Sequence, residues 1–249
     1  MTSTLPYTDL LIDFDDTLYD THGNAVIALR EIYEIFHLEQ HFDHPEVFYD
    51  HYWQTNVQLW EQYAHGEIAR EVLIVERFRR PLSIGHHWPE HLTEIVRGQR
   101  MVSAAFCLEV SDRFLQLCAT KPGVVDGAHE VMAYLRRRGY RLHMASNGFR
   151  EVQYKKLRAS GLADCFDTVV LSEDAGVNKP SPLFFDFALK AAGARRHSTL
   201  MIGDNPDTDI HGARQAGLPT IFFNRKPESI RGVATDYEIH SLHELLRLL

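Results

Sequence analysis

Short apolar runs recur along this chain, each bounded by polar or turn-forming residues. The first opens near Thr8 and carries Leu10-Leu11-Ile12; others span Arg141 to Ala145, Thr168 to Leu171, Thr199 to Ile202 and Pro219 to Phe223. Their hydrophobicity is continuous rather than alternating, which predicts strands buried on both faces of a parallel sheet. Segments of helical spacing separate the later runs: Glu151 to Ser160, Pro182 to Ala192 and Asp207 to Ala216, with Ser241 to Leu249 closing the chain. Gly161 and Gly217 stand where a helix ends in a left-handed residue. Regular strand–helix alternation predicts an α/β fold, a Rossmann-like parallel sheet with right-handed crossovers.

One stretch departs from that rhythm. From His22 to Ser111 strand-like patterning is missing, while helix formers and aromatics abound in Ala25 to Phe36, Glu46 to Tyr63 and Glu67 to Arg79. Pro81, Gly85 and Pro89 punctuate it midway, and Lys121-Pro122-Gly123 opens the return, followed by a helix from Gly127 to Arg138 that Gly139 caps. The expected organisation is a core of residues 1–20 and 112–249, with a helical unit of residues 21–111 inserted after the first strand.

Composition narrows the partners. The 249 residues are 45% hydrophobic and 24% charged, values of an ordinary globular chain. A net charge of −8 argues against a nucleic acid polymer as partner, because phosphate backbones select basic faces. No run reaches the roughly 18 apolar residues of a membrane span, and the N-terminus lacks the pattern of a secretory signal. Cys107, Cys118 and Cys165 are odd in number and scattered, so neither a disulfide framework nor a zinc site is expected, and a cytoplasmic location fits. The histidine sets His37, His41, His44 and His51, or His86, His87 and His91, keep no spacing that would close a metal shell. A monomer is the expected state.

The chemistry gathers where the strands end. Asp13 and Asp15 follow the first run and lie on one side of an extended chain; two adjacent carboxylates repel unless a cation or a shared proton intervenes, and a divalent metal is the simplest remedy. An isolated pair of this kind is also what a helix cap and turn would leave. Downstream come Ser146-Asn147-Gly148, then Asn178-Lys179-Pro180, then Gly203-Asp204-Asn205-Pro206-Asp207-Thr208-Asp209, each beside a strand-like run. A hydroxyl, a lysine and further acids, arriving in that order, supply nucleophile, proton carrier, phosphate ligands and metal ligands. Together they resemble the four motifs of the haloacid dehalogenase superfamily, from Asp13 to about Asn224.

That resemblance implies roles. Asp13 is the expected nucleophile, an ionised carboxylate needing no base; Asp15 is the expected acid and base for leaving group and water. Superfamily dehalogenases, which expel halide, lack an acid at the second position. Ser146 and Lys179 would hold the phosphoryl oxygens, and Asn147 and Gly148 would either reach phosphate or substrate with their amides or form only a tight turn. The implied cofactor is Mg²⁺, held by Asp13, the backbone carbonyl of Asp15, and Asp204; Asp209 and Thr17 are expected behind it, Asp209 binding a metal-bound water or orienting Lys179 and Thr17 fixing the loop. Because 130 residues separate Asp15 from Ser146 and only 32 separate Ser146 from Lys179, the insertion resembles the C1 cap of this superfamily.

Within the cap, Asn56 to Tyr63, Gly66-Glu67-Ile68 and Arg77-Phe78 resemble bacterial 5′-nucleotidases that act on pyrimidine and non-canonical nucleoside monophosphates. Trp60, Tyr63 and Phe78 would offer faces for a base, but Asn56, Trp60 and Tyr63 fall at i, i+4 and i+7 on one helix face, as ordinary packing also requires, and for Trp60 packing is the favoured reading. Asn56, an amide on an apolar face, is the expected substrate contact. The expected activity is therefore a Mg²⁺-dependent phosphomonoester hydrolase acting on a small phosphorylated metabolite, a nucleoside 5′-monophosphate before others. The alternatives are a sugar-phosphate or phosphoglycolate phosphatase, a β-phosphoglucomutase-like mutase with His22 and Arg77 as its added basic groups, and a non-catalytic scaffold. The scaffold reading expects erosion at one of Asp13, Asp15, Lys179 or Asp204, and none is eroded.

Overall fold

The structure is a computed structural model that describes residues 6–249. In chain order it runs β1 (Asp9–Ile12), α1 (Thr21–Ile35), α2 (Pro45–Ala64), α3 (Arg70–Leu82), β2 (Thr93–Val96), β3 (Gln99–Val102), α4 (Ala104–Cys118), α5 (Ala128–Arg137) and β4 (Arg141–Ser146). It continues through α6 (Arg150–Ala159), β5 (Thr168–Leu171), α7 (Ser172–Ala175), α8 (Pro182–Ala192) and β6 (Thr199–Gly203). A π-helical turn (Pro206–His211) then leads into α9 (Gly212–Gln215), β7 (Thr220–Phe223), β8 (Tyr237–Ile239) and α10 (Leu245–Leu248).

Two compact units emerge, one of Gly23–Thr120 and one of the residues before and after it. The second unit is a six-stranded parallel sheet in the order β5-β4-β1-β6-β7-β8. Its central strand shows why the sequence reads as doubly buried. Leu10 and Ile12 join Leu142, Met144, Leu200 and Ile202 beneath α5, while Leu11 packs on the opposite face with Ala145, Met201, Phe184 and Phe185. Register places Ile12 beside both Met144 and Ile202, so the residues that follow β1, β4 and β6 emerge side by side. The strand order reverses across β1, the position where open α/β sheets bind ligands.

The inserted unit departs from the sequence expectation in two ways. It is not wholly helical, because β2 and β3 pair as an antiparallel hairpin around Arg97-Gly98, both with positive φ (51° and 83°). Such a turn matches the twist of a hairpin. The unit also extends to Thr120 rather than to residue 111. Ser103 caps α4 by accepting from the Phe106 amide, and Cys107, Val110, Phe114 and Cys118 then line the same core as Leu29, Ile32, Phe48 and Tyr52. Cys107 and Cys118 are buried and all three cysteines are free thiols; burial pushes Cys107 up to about 12. Among the described residues no helix is long and apolar enough to cross a membrane.

Candidate active site

The acids of the site are delivered by strand ends. The Asp13 amide still donates to the Ile202 carbonyl at 2.9 Å, which fixes the nucleophile candidate against β6. Lys179 is 1% exposed, and its Nζ donates to Asp13 Oδ1 (2.7 Å), Asp209 Oδ1 (2.6 Å) and the Ala145 carbonyl (2.7 Å). Three acceptors hold one ammonium, so its charge is fixed midway between two carboxylates, and both lift its pKa against the opposing effect of burial. Asp209 reaches it because Asn205 caps the π-helical turn, accepting from the Asp207 and Thr208 amides. Gly203 leaves the space, since a Cβ there would overlap the Asp209 carboxylate.

Asp204 lies across from them and accepts from Thr17 Oγ1 at 3.0 Å. Oxygens of Asp13, Asp204 and Asp209 all come within 4.8 Å of one another. Burial pushes Asp13 up to about 7, with Asp209 and Asp15 adding to the rise and Lys179 opposing it. Burial and the neighbouring Asp13 and Asp209 push Asp204 well above the usual carboxylate range. One lysine thus leaves a surplus of buried negative charge. Hard oxygen donors with unmet charge fit a divalent cation such as Mg²⁺.

Asp15 answers its repulsion differently from the sequence expectation. Its side chain takes no place among the three clustered acids; Lys156 Nζ donates to Oδ1 at 2.5 Å, Thr21 Oγ1 to Oδ1 at 2.6 Å, and Gln153 Nε2 to Oδ2. Burial would raise this carboxyl, but the Lys156 charge and the three donors outweigh it and hold the pKa below the usual value. Gln153 and Lys156, both buried on α6, are the site residues the sequence reading missed. Their signal was an inward stripe of α6, Val152, Gln153, Lys156 and Leu157, that carries two polar residues where apolar ones are usual.

Ser146 Oγ accepts from the Gly148 amide (3.0 Å) and from Gln153 Nε2 (2.8 Å). With both acceptor positions occupied, its own O–H is left as a donor toward an anion. Asn147 and Gly148, expected to reach substrate with their amides, also make contacts inside the site. Asn147 Nδ2 donates to the Lys179 carbonyl and Asn147 Oδ1 accepts from the Lys179 amide, both at 2.9 Å, so this side chain staples the lysine loop to β4. Gly148 gives its amide to Ser146, and a Cβ on it would overlap the Gln153 side chain.

In the inserted unit Asn56 is half-buried on α2, and Trp60 meets Tyr63 edge to face at 5.6 Å. Phe78 is wholly buried against Tyr52 and Phe114, as packing requires and as a stacking surface does not.

Residues 10–217 match the haloacid dehalogenase-like hydrolase family. The chain belongs to it. Among relatives of this hydrolase, the pyrimidine 5′-nucleotidase PynA of Streptococcus pneumoniae is 29% identical over 98% of this chain and 95% of its own. The pyrimidine 5′-nucleotidase YjjG of Escherichia coli is 34% identical over 80% of each chain. A solved structure, the HAD-hydrolase YfnB of Bacillus subtilis bound to magnesium, aligns with a TM-score of 0.79 at 28% identity and covers 96% of both chains. This haloacid dehalogenase-like hydrolase is thus an enzyme with the α/β fold that its strand pattern predicts.

Proposed function

We propose that the protein is a Mg²⁺-dependent phosphomonoester hydrolase acting through an aspartyl-phosphate on Asp13, with a nucleoside 5′-monophosphate as its favoured substrate. The observation that carries this reading is the second carboxylate. A halide leaves without a proton, whereas an alkoxide needs one, and Asp15 is a carboxylate close enough to the nucleophile to act on it electrostatically and placed to relay that proton.

Asp13 attacks phosphorus while Lys179 and the Ser146 hydroxyl steady the equatorial oxygens, where charge gathers in the transition state. Asp15, which the free site keeps ionised, takes the proton that the phosphate monoester monoanion brings in and passes it to the ester oxygen as the P–O bond breaks, then takes one from the water that cleaves the Asp13–phosphorus link. Asp13 and Asp204, with the backbone carbonyl of Asp15, would hold Mg²⁺, Asp209 anchors Lys179, and Thr17 orients Asp204. When bound, the ion supplies positive charge against the phosphoryl oxygens and the clustered carboxylates. The nucleotide preference rests on the two nucleotidase relatives, with Asn56 as the proposed substrate contact and residues 23–120 as the selecting cap.

The test is phosphate release in Mg²⁺ across nucleoside 5′-monophosphates, pyrimidine deoxynucleotides, phosphoglycolate, glyceraldehyde 3-phosphate and hexose phosphates, with Asp13→Asn as blank. Preference for nucleotides supports the whole reading. Preference for a sugar phosphate or phosphoglycolate keeps the chemistry and overturns the substrate, and no release from any of them overturns both.

A further inference from the structure

Gln153 is wholly buried, yet half of its amide is unpaired. Its Nε2 donates to both Asp15 and Ser146, while Oε1 has no hydrogen-bond partner. An unpaired buried acceptor is a cost that the fold carries at this position. One turn along α6, Lys156 is likewise buried; its ammonium lies 5.1 Å from the centre of the Tyr19 ring and donates to Asp15. Neither residue touches the three clustered acids. Both converge on the one carboxylate that must exchange protons, and Gly148 is small at the place where any larger residue would displace the glutamine.

We propose that Gln153 and Lys156 are positioning residues for the proton transfers of Asp15, and that Gln153 sets that carboxylate in register with Ser146. The proposal rests on the reading of Asp15 as the proton carrier. Two donors from one rigid helix fix both Asp15 oxygens, so the carboxyl is aimed before substrate arrives. The shared amide then locks the distance between the group that protonates the leaving oxygen and the hydroxyl that holds the phosphoryl group.

The leaving group reads this out. Uridine 5′-monophosphate expels the uridine 5′-alkoxide, which needs the proton; p-nitrophenyl phosphate expels a stabilised phenolate, which does not. Because kcat/KM reports the steps up to formation of the phosphoenzyme, the ratio of kcat/KM for the two substrates isolates the acid. In Gln153→Leu and Lys156→Met that ratio should fall at least about 10-fold, following Asp15→Asn. Gly148→Ala, which removes no polar group but crowds Gln153, should move the ratio the same way and covers the case of a variant that fails to fold. An equal loss on both substrates in folded variants would overturn the proposal. If Asp15→Asn itself leaves the ratio unchanged, the reading of Asp15 as the acid falls instead.

Discussion

The buried acids make the stability of the metal-free protein depend on pH, and Asp13→Asn isolates the effect. Burial lifts Asp13 from the usual 3.8 to about 7. Between those values the unfolded chain has released the proton while the folded chain keeps it, so stability falls as pH rises through this window and levels off above it. A gap of about 3 units at 1.36 kcal/mol each corresponds to about 4 kcal/mol, or about 10 °C in melting temperature for a chain of this size. Asp204, raised for the same reason, adds to the fall, whereas Asp15, held low, acts only in more acidic solution. The assay is urea unfolding in chelator from pH 4.5 to 8, wild type against Asp13→Asn. Lys179 keeps Asp209 and the Ala145 carbonyl as partners in the variant, so the asparagine chain should be the more stable one at pH 8 and show a shallower slope. Saturating Mg²⁺ should flatten the wild-type profile, about 2.7 kcal/mol being expected at 100 times the dissociation constant. A wild-type stability that is flat in chelator, or an Asp13→Asn chain that is less stable at pH 8, would refute the account of unmet buried charge.

Lys179→Met removes the cation that pairs with both Asp13 and Asp209 and should cost about 3–5 kcal/mol at pH 8, less at pH 5, together with at least about 10²-fold in kcat; equal destabilisation at both pH values would contradict it. Thr17→Val frees Asp204 Oδ1 and should weaken Mg²⁺ activation about 10- to 100-fold while leaving the rate at saturating Mg²⁺ nearly unchanged, as a metal titration reads directly. Phe78→Ala should lower unfolding stability by about 3–5 kcal/mol, because the ring fills the core of the inserted unit. A larger effect on nucleotide KM than on stability would instead return Phe78 to substrate binding.

Most of the sheet was legible because strands such as β1, β6 and β7 are buried on both faces and therefore read as apolar runs; β8, only three residues with one exposed glutamate between tyrosine and isoleucine, left no such trace. Asp13, Ser146, Lys179 and Asp204 were visible because a parallel sheet brings its strand ends together whatever the distance along the chain. Gln153 and Lys156 were not, since what makes them part of the site is a partner 138 to 141 positions earlier, and in the sequence they look like the polar face of a surface helix. Asn147 shows a related limit: an Asn-Gly pair predicts a turn, but only the fold reveals that the asparagine grips the loop of Lys179. The β2–β3 hairpin was signalled by Arg97-Gly98 alone, because charged residues interrupt the flanking strands.

The backbone around the insertion has a wider consequence. Leu18 accepts from the Val125 amide at 2.9 Å, Asp20 donates to Gly123 at 3.2 Å, and Tyr19 reaches the Lys121 carbonyl at 2.8 Å, so the outgoing and returning chains are bonded to each other before the insertion begins. The sheet therefore sees residues 23–120 as a loop whose ends already meet, and the closure entropy of such a loop grows only slowly with its length. A lineage could exchange the inserted segment, lengthen it or shed it without reopening the sheet that carries the acids. Selectivity and reactivity can then drift at different rates within one gene.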